Sequence, residues 1–128
     1  MKKDHIVPLT DTMVSILRNV LATHTSEYVF PSPTSNHRTM SENTLNLSLK
    51  RLGVCAITAH GLRHTASTFL NENMDKHGQR AEIIEVQLAH TDKNVIRGVY
   101  NKAVYLEERR ALMEWWSNYL DSLQENCE

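Results

Sequence analysis

The sequence is short of the features that would place it in a special class. It holds only two cysteines, Cys55 and Cys127, far apart and outside any CxxC. That excludes a disulfide scaffold and leaves two free thiols in a reducing cytosol as the plain expectation. Four glycines and three prolines are too few for a fibrous or low-complexity chain. No run approaches the roughly 18 apolar residues that a membrane span requires, and the opening MKKDHIVPLT has basic residues but no apolar stretch of the secretory kind. Charge of one sign is lacking too. Fourteen Lys and Arg against fifteen Asp and Glu give a net −1, so no global field draws the chain onto a polyanion.

What is present is an ordinary globular composition, 41 % apolar and 23 % charged over 128 residues. One domain of this size buries about two thirds of its unfolded surface without a staple. The charge is unevenly spread. Residues 1–63 carry seven basic and four acidic side chains (+3), and residues 64–128 carry seven and eleven (−4), so a polyanion would meet a local face rather than the whole surface. Seven histidines are many for this length, and histidine serves as acid, base, ligand or hydrogen-bond donor near neutral pH.

The hydrophobic period predicts a mainly α fold with a minor strand or hairpin element. His5-Ile6-Val7 reads as the end of a strand stopped by Pro8. Thr10 or Asp11 can cap a helix whose apolar positions Val14, Leu17, Leu21 and Met13, Ile16, Val20 fit a 3.6-residue period. Tyr28-Val29-Phe30 is a short extended piece closed by Pro31 and Pro33, and 31–40 reads as a polar loop. Ser41 caps a helix with Leu45, Leu49 and Leu52 as its stripe and Gly53 just past its end. Thr58 caps a helix to about Asn73, buried through Leu62, Ala66, Phe69 and Leu70. The stretch 73–79 is a loop, a helix covers about 80–89, Asp92 caps a short helix toward Tyr100, and a long helix runs from about Tyr105 to Leu123. In that last helix Leu112, Trp116, Tyr119 and Leu123 recur at helical spacing. Strand content is too low for a sandwich or barrel, and the β-α alternation of a doubly wound sheet is missing.

The chemistry is concentrated in Thr58-Ala59-His60-Gly61-Leu62-Arg63-His64-Thr65. On a helix His60, Arg63, His64 and Ser67 lie at i, i+3, i+4 and i+7, on one face beside the apolar stripe. Such a face is either a solvated polar surface or a set of phosphate-friendly donors. Further on stand Leu88-Ala89-His90 and, ten residues after His90, Tyr100. In this order and spacing the chain resembles the tyrosine recombinases of the phage integrase family. Their H-x-L-R-H motif corresponds to His60-Gly61-Leu62-Arg63-His64, their L-[GA]-H motif to Leu88-Ala89-His90, and their nucleophile to Tyr100. HIVPLT, YVFPSP and YLEERRALMEWWSNYLD also look like family segments, so the resemblance covers nearly all 128 residues.

The resemblance implies site-specific recombination of double-stranded DNA at attachment-type sites, as in prophage integration. Tyr100 would be the nucleophile, Arg63 would bind two phosphate oxygens, and His60 and His90 would donate hydrogen bonds or accept the tyrosine proton. It implies no metal and no cofactor, a cytoplasmic, nucleoid-associated location, and self-association on DNA through the final helix. Arg38, Lys50 and Arg51 are candidate DNA contacts, each more readily read as a solvated charge. His64 is expected to be a packed, hydrogen-bonded histidine, Trp115-Trp116 a core pair or partner-helix anchor, and Tyr105 the competing tyrosine. The family also carries an earlier arginine and a lysine about eight residues before the proline matched by Pro8. Both would precede Met1, and Lys2 and Lys3 are not expected to replace that lysine. Residues 1–128 therefore read as the C-terminal portion of an integrase catalytic domain, expected to bind DNA weakly and to recombine little alone. Two alternatives remain open: a catalytically dead DNA-binding or protein-interaction remnant, and a metal site built from His60, His64 and His90. Gly61 stands where a metalloprotease glutamate would, and Arg63 would repel the cation.

Overall fold

Capping chemistry sets the helix boundaries. In the computed structural model, which describes residues 5–90 and 105–125, the Ser41 hydroxyl accepts from the Thr44 N–H and opens α2, Glu42–Arg51. At its other end Gly53 takes φ +81°. Its N–H donates to the Lys50 carbonyl and the Val54 N–H to the Leu49 carbonyl, the paired 5→2 and 6→1 bonds of a Schellman motif, which favours glycine at the left-handed position. The remaining elements are α1 Asp11–Leu21, β1 Pro31–Ser32, β2 Ser35–Thr39, α3 Ala59–Glu72, α4 Met74–His77, α5 Ala81–Gln87 and α6 Leu106–Glu125. The described chain is mainly α with one antiparallel hairpin.

Two compact units divide the chain, Asp11–Ala66 and Met1–Thr10 with Ser67–Glu128. In the first, the stretch expected to be a loop at 31–40 is instead the β1–β2 hairpin, with Ser32 opposite Ser35 and Pro31 opposite Thr39. Ser-Asn-His-Arg-Thr has no apolar alternation to announce a strand. Polar side chains support the turn region instead: the Ser26 hydroxyl donates to the Asn36 carbonyl, and the Tyr28 N–H donates to Ser26 Oγ. None of residues 11–66 is buried. Leu62, expected inward, is 51 % exposed, and Leu45 and Leu52 are exposed as well.

The second unit holds the core. Leu70 of α3, Ile83 and Ile84 of α5 and Leu112 of α6 form one buried cluster, with Leu88, Tyr105, Trp115 and Trp116 packed against it. Phe69 stacks on Tyr119 at 4.4 Å between ring centroids and lies 6.2 and 5.7 Å from Trp115 and Trp116. The tryptophan pair thus takes the core role within this unit. His77 is fixed by two backbone bonds, Nε2 to the Leu70 carbonyl at 2.8 Å and Nδ1 from the Gln79 N–H at 3.0 Å, and its ring edge meets Trp115. It closes the short helix α4, where a plain loop was expected.

No strand forms at 5–7. The Ile6 carbonyl is taken by the guanidinium of Arg109. Thr10 is buried, and its hydroxyl donates to Ser117 Oγ on α6 at 3.2 Å. Residues 5–10 are thus held, among the described residues, by bonds to α5 and α6.

Candidate functional site

One candidate segment is the N-terminal part of α3, in the unit Asp11–Ala66. Thr58 Oγ1 accepts from the Gly61 N–H at 3.0 Å and caps the helix. A Cβ on residue 61 would stand 3.2 Å from that oxygen, so the cap and the small residue suit each other. One turn on, His60, Arg63 and His64 project from α3, and all three are exposed. The half-packed face expected for them is not formed, and His64 is not the packed histidine anticipated. The cause is visible along α3: burial begins only at Leu70, beyond the turn that carries the motif.

Another candidate segment is the end of α5, in the other unit. Leu88 closes the helix, and Ala89 takes φ +50°. The Ala89 N–H donates to the Val86 carbonyl at 3.1 Å and the His90 N–H to the Glu85 carbonyl at 3.0 Å. This is the Schellman pattern again, with His90 in the second position past the cap. The geometry explains the Leu-[Gly/Ala]-His pattern physically. The middle residue needs a left-handed backbone, which glycine adopts freely and alanine at modest cost. The ring of His90 lies with Nδ1 2.7 Å from Glu85 Oε2.

Tyr100 lies outside the described residues, as does Cys127. Cys55 is an exposed free thiol. The competing tyrosine, Tyr105, is described. It has φ +52° and sits directly before α6. Its hydroxyl donates to Glu82 Oε1 at 2.8 Å, and the Arg80 guanidinium lies 5.6 Å from its ring centroid. The hydrogen bond to Glu82, followed by desolvation and the charge of that carboxylate, holds the phenol above its ordinary value of 10.0. Because the folded value is raised, the bond contributes stability below pH 10 and loses it as pH climbs through the folded value. In a spectrophotometric titration at 295 nm, wild type minus Tyr105→Phe is therefore expected to show one phenolate appearing later than a free tyrosine would. A difference curve centred at or below pH 10 would contradict the assignment.

The residue that sequence reading passed over is Arg109. It is 1 % exposed, with Nε donating to Gln87 Oε1 at 2.8 Å and Nη2 donating to the Ile6 carbonyl. His5 Nε2 lies 3.2 Å from the Gln87 carbonyl and 3.3 Å from Arg109 Nη2. Burial pushes the guanidinium below its usual range, the direction expected of a desolvated cation. The signal was available: Arg109 stands three residues before Leu112 and seven before Trp116, on the apolar stripe of α6. Through Gln87 it braces the end of α5 three residues from His90.

Arg38 on β2 and Lys50 and Arg51 at the end of α2 are exposed. Among the described residues no group of three or more His, Cys, Asp or Glu is arranged to hold a metal ion, and no helix is long and apolar enough to cross a membrane.

The model of the phage integrase family matches residues 1–107. The chain is 42 % identical over 120 residues to prophage integrase IntA of Escherichia coli K12, covering 92 % of this chain and 28 % of that protein. It is 38 % identical over 123 residues to prophage integrase IntS of the same strain, and 37 % identical over 123 residues to the integrase of Shigella phage Sf6. Each of these two matches covers 94 % of this chain and 31 % of the relative. No solved structure matches the chain. The chain belongs to the phage integrase family. It spans about three tenths of the length of the curated relatives it matches.

Proposed function

We propose that this chain carries the phosphotyrosyl half of a site-specific DNA recombinase. The observation that supports this best is an ordered set: His60 and Arg63 on one exposed face of α3, His90 presented by the capping turn of α5, and Tyr100 ten residues further on. The Tyr100 oxygen attacks a backbone phosphorus, the bond to the 5′ oxygen breaks, and that oxygen leaves as a hydroxyl after gaining a proton. The phosphate stays bound as a 3′-phosphotyrosyl ester, and a second 5′-hydroxyl reverses the step. Charge gathers on the phosphate oxygens during the displacement. Arg63 meets two of them with its planar fork, and His60 and His90 supply hydrogen bonds or take the tyrosine proton. Tyr105 is a poor rival as nucleophile, since its hydroxyl is engaged by Glu82 and its phenol is harder to ionise than usual.

A nicked suicide duplex tests the reading. The short strand beside the cut diffuses away, so reversal lacks its hydroxyl and even slow cleavage accumulates as a protein–DNA adduct. The expected result is a covalent adduct whose DNA-linked peptide, mapped by mass spectrometry, contains modified Tyr100. An adduct on another residue overturns the nucleophile. Tight DNA binding with no adduct favours the catalytically dead binding domain.

The partner is double-stranded DNA, with self-association on it through α6, where Leu120 and Leu123 are exposed. Arg38, Lys50 and Arg51 are proposed phosphate contacts. Changing each to Gln is expected to lower the slope of log K against log salt by about 1. A residue whose change leaves the slope untouched is a solvated charge.

A further inference from the structure

We propose that Glu85 is a positioning residue for His90, holding the histidine at two points so that its Nε2 edge is the one presented to the reacting groups; this rests on the recombinase reading above. The same residue binds both ends of the histidine. The Glu85 carbonyl accepts the His90 backbone N–H at 3.0 Å, and Glu85 Oε2 lies 2.7 Å from His90 Nδ1. A carboxylate has acceptors only, so Nδ1 carries the proton. With the tautomer set by that bond, Nε2 on the opposite edge of the ring is left to accept the tyrosine proton, or to donate to a phosphate oxygen when the ring is charged. A restraint matters for an imidazole placed as that of His90 is. Its side chain is 40 % exposed, it lies past the end of α5, and the preceding Ala89 sits in a left-handed turn. An exposed imidazole there would sample several rotamers and both tautomers. Glu85 gains its reach from the Schellman turn, which brings the second residue past the cap back over the last turn of its own helix.

Residues that orient a functional histidine through its other ring nitrogen typically change activity by about 10- to 100-fold when removed. The experiment uses the 128-residue chain as wild type, E85A, E85Q and H90A, with three readouts: adduct formation on the nicked duplex, affinity for the same duplex, and the His90 tautomer by two-bond 1H–15N correlation above pH 8. In the wild type Nδ1 is expected to be protonated and Nε2 bare. E85A is expected to lose this preference and to form adduct about 10- to 100-fold more slowly, with DNA affinity unchanged. E85Q, whose amide oxygen can still accept from Nδ1–H, is expected to keep the tautomer and recover most of the rate. A bare Nδ1 in the wild type overturns the proposal. So does an E85A that forms Tyr100 adduct at the wild-type rate, or one whose slower rate is matched by an equal loss of DNA affinity. If H90A alone leaves the rate unchanged while the adduct still depends on Tyr100, the positioning role falls and the recombinase reading stands. A wild-type chain that binds the duplex and forms no adduct favours the catalytically dead binding domain over the recombinase reading, and the tautomer then decides by itself whether Glu85 fixes the ring.

Discussion

Tyr100→Phe is expected to abolish covalent trapping on the nicked duplex, with DNA affinity unchanged. The substitution removes one oxygen and keeps the ring, so it deletes the attacking atom while sparing whatever packing the ring provides. Arg63 cannot attack, and the imidazoles are assigned to hydrogen bonding and proton transfer, so an adduct on His60 or His90 would also overturn the assignment. Arg63→Ala is expected to slow the same reaction by about 100- to 1000-fold, the range for loss of one preorganised donor to a developing oxyanion. Arg63→Lys should recover little of it, because a single ammonium cannot reproduce the bidentate fork. Denaturing gels of the protein–DNA adduct measure both effects. Persistent adduct in Tyr100→Phe, removed only by Tyr105→Phe, would transfer the role to the tyrosine that Glu82 holds.

Arg109→Met is expected to cost about 3 kcal/mol of folding stability. The side chain is fully buried and donates to Gln87 Oε1 and the Ile6 carbonyl. A methionine fills much of the volume but takes the donor away from both acceptors, at about 1–3 kcal/mol each. Against a typical total of about 5–15 kcal/mol this is a large share, and it should lower the thermal midpoint by roughly 10 °C. Arg110→Met, on the exposed side of the same helix, is the control and should stay within about 0.5 kcal/mol. Urea unfolding followed by circular dichroism compares them. Equal midpoints for Arg109→Met and wild type would show that the buried guanidinium contributes no net stability. Because Arg109 also braces Gln87, the variant is expected to loosen the turn that carries His90.

The helices were largely legible because their signals are local. Ser41, Thr58 and Gly53 do in the structure what their positions imply, and the stripe of α6 continues into the core through Leu112. The hairpin was not legible, since its strand carries no apolar alternation and is supported by side chain to backbone bonds at Ser26. The exposure of Leu62 and His64 escaped the pattern as well. A helical stripe shows which side of α3 is apolar, but how far along the helix neighbours cover it depends on elements distant in sequence. Of the site, the residue types and their order could be read directly, whereas the partners that hold them could not.

Sequence alone determined the family, because H-x-L-R-H, L-A-H and a following tyrosine are patterns of residue identity and spacing that exist before folding. It also determined a helical fold, through the period of its apolar residues. Only the tertiary structure decided how the parts are held. Arg109 reaches across more than a hundred positions to the Ile6 carbonyl. Two glutamates one turn apart on α5 grip His90 and Tyr105, the described residues on either side of the segment that contains Tyr100. Those contacts join groups that are remote along the chain or turned by a left-handed backbone, and no periodicity encodes a hydrogen bond made across space.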